Sequence, residues 1–324
     1  MKAIERVLIV GPGAVGSAVA SIIHKQVPGS VSVLADGERF DRYSRDGFII
    51  NGEHFSFPVV SPHHSSNSRQ NKHAFDLIIV AVKNHHLSQA MEQMRPHVGP
   101  DTTVLSLLNG ISSEETLGNE FGPGPGAPEG CSIPPYAMIL GIDAVRVANE
   151  TCFASSGKIF FGDAQNKTNA FSPRIERIAS FFDKAKVPYT IPENMLRSLW
   201  YKFMINVGIN QASAVLRAPY RAFQSNPDAR SLMESLQREV ITVSQAHKVN
   251  LDESDLSRWE ETLSKLHPEN MTSMCQDVLA ERKTEVEIFA GAVMELGQRY
   301  SVETPVNTLM FTILKGLEAS YQRT

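Results

Sequence analysis

A chain of 324 residues is too long for one ordinary core of about 100–200 residues, so two domains are expected. Apolar residues at 42% and charged residues at 20% fit a globular protein, and a net charge of −4 offers no electrostatic footprint for nucleic acid. No apolar run reaches the roughly 18 residues of a membrane span, and Cys131, Cys152 and Cys275 show neither a disulfide framework nor a zinc spacing, so the expectation is a cytoplasmic protein with no membrane or nucleic-acid partner.

The chain opens on "MKAIERVLIVGPGAVGSAVA". Glu5 and Arg6 stand before a short apolar run that glycines and a proline then interrupt, so the run reads as a buried first strand and not as a leader peptide. That strand, "RVLIV" at 6–10, is apolar and β-branched, as a parallel strand covered on both faces should be. Gly11, Gly13 and Gly16 follow at once in the spacing G-x-G-x-x-G, and a helix can open at Ala14 and Val15. Gly11 permits the tight turn, Gly13 lets the backbone approach a pyrophosphate, and Gly16 lets helix and strand pack closely. The free N–H groups and positive dipole end of the helix then suit phosphates. A second strand, "VSVLA" at 31–35, ends at Asp36, 20 residues past Gly16 and near the distance expected of a ribose-contacting acid. A dinucleotide site is therefore expected at this loop.

"FDLIIVAVK" (75–83) and "TTVLSLLNG" (102–110) are two further strands that end in polar residues. Ligands of open α/β sheets sit beyond the carboxyl ends of the strands, which puts Lys83 and Asn109 where a cofactor or substrate would lie. An Asn-Gly pair such as Asn109-Gly110 also suits a plain turn, and Lys83 also suits solvent. "NEFGPGPGAPEGCSIPP" (119–135) reads as an exposed irregular loop. "YAMILGIDAV" and "GKIFFGD" are expected to extend the sheet, and a helix at 174–186 and a short strand at 188–191 to close the domain near 193. Residues 1–193 thus read as an α/β domain with a mostly parallel, doubly wound sheet.

Residues 194–324 read as all-α, with helices predicted at 194–216, 227–247, 252–266, 271–300 and 306–322 and prolines near the joints. In "LWYKFMINVGINQASAV" (199–215), Lys202, Asn206 and Asn210 stand four apart. Four residues advance an α-helix by about 400°, so the three drift only about 40° per step and form one polar stripe. Either the stripe is the solvent face, or it lines a functional cleft. The apolar residues around it, Trp200 to Ile209, favour the second.

Taken together, "GPGAVG", "AVK" at 81–83, "LNG" at 108–110, the 199–215 stretch, "MTSMCQDVLAERKTEVEIFAG" at 271–291 and "TPVNTLM" at 304–310 make the chain resemble the ketopantoate reductases (2-dehydropantoate 2-reductases) over nearly its whole length. The resemblance implies a Rossmann domain joined to a helical domain, and reduction of the ketone of 2-dehydropantoate with NADPH. It implies that Lys202 is the catalytic lysine, Asn206 and Asn210 bind substrate, Ser273 binds its carboxylate, Glu285 is the active-site glutamate, and Asn270 is another polar position near the substrate. Lys83 and Asn109 match cleft residues of the first domain. Hydride attack builds negative charge on the keto oxygen, and a lysine on a rigid helix can supply the proton.

Two positions depart from the family pattern. Asp36 stands where some members carry a basic residue for the 2′-phosphate of NADPH, and an acid there favours NAD. Arg39, Arg42 and Arg45 follow it, so NADP(H) is the expected cofactor, with NAD(H) as the alternative. Tyr220 and Arg221 follow Pro219 where some members have Pro-Asn-Gly, which leaves the identity of the 2-keto acid open. The alternatives are a reductase of another 2-keto acid and a redox sensor that binds NADP(H) without turnover. The pairs His63-His64 and His85-His86 lack helical i, i+4 partners, so no metal is expected. The helical domain offers a face for a homodimer.

Overall fold

A computed structural model describes residues 2–63, 74–122, 134–168 and 170–321. Cys131, His64 and the stretch 123–133 of the Gly/Pro-rich loop lie outside them. The chain forms two compact units, one of residues 1–108 and 113–195, the other of 109–112 and 196–324.

The first unit contains, in order, β1 (Val7–Val10), α1 (Ala14–Gln26), β2 (Val31–Leu34), α2 (Gly37–Asp46), β3 (Phe48–Ile50), β4 (Glu53–Phe55), β5 (Val59–Val60), β6 (Leu77–Val80), α3 (Leu87–Met94), β7 (Thr103–Ser106), α4 (Ser113–Phe121), β8 (Tyr136–Ile142), β9 (Val145–Val147), β10 (Glu150–Cys152), β11 (Ser156–Gly162), α5 (Pro173–Lys184) and β12 (Tyr189–Thr190). The main sheet is wholly parallel, in the order β5-β2-β1-β6-β7. Alternation along each strand explains why the runs are apolar throughout. Val7 and Ile9 pack on one side with Val19 and Ile23 of α1, whereas Leu8 and Val10 pack on the other with Leu87 and Met94 of α3. The register pairs Val10 with Leu34 and with Val80, and Val80 with Ser106, so four strands end level at one edge.

The expectation that β8 and β11 extend this sheet is corrected. They pair with each other antiparallel, from Ser156 opposite Ile142 to Gly162 opposite Tyr136, and β12 joins β11 in parallel. That long mutual ladder satisfies their backbone groups, so they form a separate sheet. A third sheet, β4-β3-β10-β9, has no forerunner in the sequence reading, because its strands are only three residues long.

The second unit is helical: α6 (Met195–Leu216), α7 (Tyr220–Ser225), α8 (Pro227–Ala246), α9 (Glu253–Leu263), α10 (Ser273–Leu279), α11 (Ala290–Tyr300) and α12 (Pro305–Tyr321). The continuous helix expected over 271–300 is broken in two. Glu281 adopts φ +50°, residues 282–285 are irregular, and a 3₁₀ turn covers Val286–Ile288. The break has a cause outside the segment: the Thr284 N–H and hydroxyl both donate to the Glu318 carboxylate of α12. Among the described residues, no helix is long and apolar enough to cross a membrane.

A methyl group at Gly16 would collide with the Gly11 carbonyl oxygen, which is backbone and cannot turn aside. Gly16→Ala is therefore expected to lower stability by about 1–3 kcal/mol, as overpacking does. Urea denaturation reads it, and an unchanged midpoint would show that the loop relaxes freely.

Candidate active site

In the first unit, the loop between β1 and α1 needs its glycines for different reasons. Gly11 has φ +89°, and a Cβ there would lie 2.6 Å from Val82 Cγ1 and 2.9 Å from the Ala81 carbonyl carbon. Gly16 sits against Gly11 itself. A Cβ at Gly13 would meet nothing within 4 Å among the described residues, so its lack of a side chain relieves no internal clash there. The helix that starts at Ala14 has no acid in its first turn and no side-chain cap. The first-turn N–H groups of Ala14, Val15 and Gly16 lack intrahelical acceptors and suit an anion. The cradle fits the pyrophosphate of a dinucleotide: Gly13 leaves room, and α1 supplies the donors.

Asp36 follows β2 and caps α2, accepting from the Gly37 N–H at 2.9 Å, while its other oxygen lies 3.3 Å from His63 Nε2. Of the arginines after it, Arg45 is paired with Asp46 at 2.7 Å, Arg42 lies over the Tyr43 ring at 5.2 Å, and Arg39 is exposed on the first turn of α2. Lys83 is half-buried at the start of a 3₁₀ turn after β6.

One residue at this loop escaped the sequence reading. Arg146 of β9 donates to the Pro12 carbonyl at 3.1 Å and the Ser17 hydroxyl at 3.1 Å, and to Asn149 Oδ1 at 3.2 Å. Ser17 donates to the same Pro12 carbonyl at 3.0 Å. The guanidinium also lies 5.8 Å from the Phe48 ring centroid. Burial pushes its pKa down; Tyr43 opposes that and Arg42 adds to it. No motif surrounds Arg146 in the sequence, and only the folded chain brings it to Pro12.

In the second unit, α6 is sheathed in apolar contacts, with Trp200, Phe203, Met204 and Val207 all buried. The polar stripe is not a solvent face: Lys202 is 8% exposed, Asn210 is 6% exposed, and Asn206 is half-buried. The Lys202 ammonium donates to Asn109 Oδ1 at 3.1 Å, and Asn109 Nδ2 donates to Glu285 Oε2 at 3.2 Å. Both ends fix the amide orientation, because an ammonium only donates and a carboxylate only accepts. Asn109 belongs to this unit, although the sequence reading placed it in the first domain. A Cβ on its neighbour Gly110, at φ +90°, would lie 3.4 Å from Ile288 Cβ, three residues past Glu285.

Ser273 is the first residue of α10 and is exposed; the helix is capped by Thr272, which accepts from the Cys275 N–H. Thr272 also bonds Ser213 at 2.6 Å, and Ser213 donates to the Asn210 carbonyl at 3.1 Å. These bonds tie the segment that begins at Ser273 to the turn of α6 that carries Asn210. Asn270 is exposed, and its carbonyl accepts from the Tyr220 N–H at 3.0 Å, while the Arg221 N–H donates to the Pro268 carbonyl at 2.8 Å. Arg221 also pairs with Glu269. The departure from the family pattern at Tyr220-Arg221 thus lies against the segment of Asn270. The structure brings Lys202, Asn109 and Glu285 together directly.

Similarity to known proteins is found along both parts of the chain. The family model "Ketopantoate reductase PanE/ApbA" matches residues 7–165, and "Ketopantoate reductase PanE/ApbA C terminal" matches residues 194–318. The chain belongs to the ketopantoate reductase family. It is 24% identical over 318 residues to the 2-dehydropantoate 2-reductase of Vibrio cholerae, which covers 98% of this chain and 99% of that protein. Its fold is similar to D-mandelate dehydrogenase solved with NADH and anilino(oxo)acetate (TM-score 0.82, 20% identity, covering 98% of this chain and 100% of that one). It is also similar to the dimeric ketopantoate reductase of Staphylococcus aureus (TM-score 0.78, 19% identity, 98% and 99%).

Arg146→Met removes the guanidinium donors and leaves the Pro12 and Asn149 oxygens short of partners. A loss of about 1–3 kcal/mol is expected on denaturation. A midpoint equal to that of the parent protein would mean that water replaces the guanidinium at no cost.

Proposed function

Starting from that membership, we propose that the protein reduces the keto group of a 2-keto acid to a hydroxyl with a nicotinamide dinucleotide, the substrate being 2-dehydropantoate and the cofactor NADPH. The observation that carries the reading is the buried Lys202 held on Asn109 with Glu285 behind it. Reduced nicotinamide supplies the hydride. The glycine loop and the first turn of α1 hold the pyrophosphate, and Lys83 and Arg39 serve the same cofactor. As negative charge grows on the keto oxygen, the Lys202 ammonium gives it a proton and regains one from water. Asn109 keeps the ammonium in place, and Glu285 supplies the balancing negative charge. Asn206 and Asn210 bind the carbonyl and a hydroxyl of the substrate, Ser273 its carboxylate, and Asn270 its far end.

Two observations favour a second reading, a different 2-keto acid reduced with NADH. Tyr220 and Arg221 lie against the segment of Asn270, and Asp36 rather than a base follows β2. Against the cofactor half of this reading, Asp36 is already engaged by the Gly37 N–H and His63.

For assembly, we infer a homodimer through the helical unit. Leu309 at 60% and Ile313 at 37% are exposed one turn apart on α12. Leu309→Glu should then sediment as a monomer where the parent protein sediments as a dimer; a parent that is monomeric at micromolar concentration would dispose of the idea.

Absorbance at 340 nm, followed with a panel of 2-keto acids and with NADPH and NADH in turn, tests the activity. Ketopantoate with NADPH is expected to give the highest kcat/KM. Lys202→Ala should lower kcat by about 10²–10⁴-fold, the usual worth of general acid catalysis, with little change in dinucleotide affinity. Near-normal turnover in a folded Lys202→Ala protein would defeat the mechanism, and oxidation of neither cofactor with any keto acid would leave the redox sensor as the better reading.

A further inference from the structure

Glu285 does not stand on a helix. It belongs to the irregular stretch 282–285, where backbone bonds tie the two ends, the Arg282 N–H donating to the Asp277 carbonyl at 2.8 Å and the Ile288 N–H to the Glu285 carbonyl at 3.1 Å, and fix no side-chain direction. A carboxylate that must meet Asn109 needs some other anchor, and α12 supplies one. Glu318, 9% exposed, accepts from the Thr284 N–H at 2.8 Å and from the Thr284 hydroxyl at 2.5 Å. Thr284 is itself 1% exposed, and its hydroxyl oxygen accepts from the Val286 N–H at 3.4 Å. The other Glu318 oxygen takes a bond of 2.8 Å from Lys315, one turn earlier on α12. Lys315 also reaches Glu287 at 2.8 Å, and Lys283 lies 3.6 Å from the same carboxylate.

The residues on either side of Glu285 are thus tied to one helix by charged hydrogen bonds, the stronger kind. Bonds to Glu287 and Glu318 hold the Lys315 ammonium above its ordinary range. Burial pushes the Glu287 carboxyl up, but Lys315 and Lys283 outweigh it and the net shift is downward. All these groups lie in the helical unit, as do Asn109 and Lys202.

We propose that Glu318 and Lys315 are positioning residues for the reduction: through Thr284 and Glu287 they set the place of Glu285, and through Glu285 and Asn109 that of the Lys202 ammonium. The inference rests on the roles of Lys202 and Glu285 proposed above. Neither Glu318 nor Lys315 touches the reacting atoms in this scheme. Their effect reaches the chemistry only by way of Glu285, and that is what separates it from a general contribution to stability.

A double-mutant cycle on the full-length protein tests it, with kcat and the KM for NADPH measured on ketopantoate, or on the best keto acid of the panel. Glu318→Ala is expected to lower kcat by about 10–100-fold, the scale of loss from a misplacement of about 1 Å. The KM for NADPH should stay where it was, because the dinucleotide loop is in the other unit. Glu318→Gln keeps an oxygen for Thr284 and should recover most of the turnover. In a Glu285→Ala background, Glu318→Ala should cost nothing more, since the residue it acts through is gone. Equal losses with and without Glu285 would overturn the proposal, as would full turnover in a folded Glu318→Ala protein. Full turnover in Glu285→Ala alone would overturn the reading of the site itself, and this inference with it, and that result is visible in the single variant. If Glu318→Ala does not fold, Thr284→Val, which loses the hydroxyl bond and keeps the N–H bond, completes the same cycle with the same expected and overturning results.

Discussion

An ammonium group taken out of water must be met by acceptors, and the helical unit is organised around meeting one. Lys202 lies on α6 among Trp200, Phe203 and Val207, where no solvent face is offered to it. A lysine in that setting is costly unless it is paired and hydrogen-bonded. Asn109 gives it an oxygen, and Glu285 gives the pair its negative charge. Each of these partners then needs a position of its own. Asn109 is brought in by a four-residue excursion of the chain, 109–112, into a unit otherwise built from residues after 195. Glu285 is brought in by breaking what would have been one long helix. Hydrogen bonds to charged groups contribute about 1.5–3 kcal/mol each, which is enough to redirect a few residues of backbone.

The glycine loop obeys a different constraint. Two of its glycines are required by the fold alone: Gly11 by its positive φ and its contact with Ala81 and Val82, and Gly16 by its contact with Gly11. Gly13 is required by nothing inside the protein, since its surroundings are open. Open space at a glycine before a helix N-terminus leaves room for a phosphate to approach the backbone. Arg146 fits the same picture from the other side. Its bonds to the Pro12 carbonyl and the Ser17 hydroxyl fix the loop at its base.

What was legible in the sequence follows from the range of the forces involved. The parallel strands, the glycine turn and α6 are set by local pattern: apolar runs, glycine spacing and helical period. The turn and α6 agree closely with that pattern, whereas the runs 75–83 and 102–110 shorten to Leu77–Val80 and Thr103–Ser106, and β5, only two residues long, leaves no pattern to read. The break after Leu279 was not legible, because its cause, Glu318, lies 34 residues from Thr284 in the chain. Arg146 was missed for the same reason, at 134 residues from Pro12. The separate sheet of β8 and β11 was mistaken for an extension of the main one, since an apolar run carries no mark of which neighbour it will pair with. Asn109 shows the mixed case. Its place past a strand end was readable, but its bonds to Lys202 and Glu285 were not, because both partners are distant in sequence.

The two departures from the family pattern bear, on the proposed reading, on separate choices, and they fall in different units. Asp36 belongs to the first unit, and Tyr220 and Arg221 to the second. A change of cofactor preference at the end of β2 leaves the hydrogen bonds of Lys202 untouched, and a change beside Asn270 leaves the glycine loop untouched. At Asp36 the carboxylate caps its own helix and meets His63, so its acidity is already answered within the protein. An acid engaged in this way discriminates less against a 2′-phosphate than a free one, because its hydrogen-bonding sites are partly filled. At Tyr220, by contrast, the backbone is bound to the Asn270 carbonyl, so a larger or differently shaped residue there moves with the Asn270 segment. Under the roles proposed above, the constraint on substrate shape is carried by backbone bonds, whereas the constraint on the cofactor rests on a carboxylate already engaged within the protein. On those same roles, the keto acid, more than the dinucleotide, is where this chain has room to differ from the family pattern.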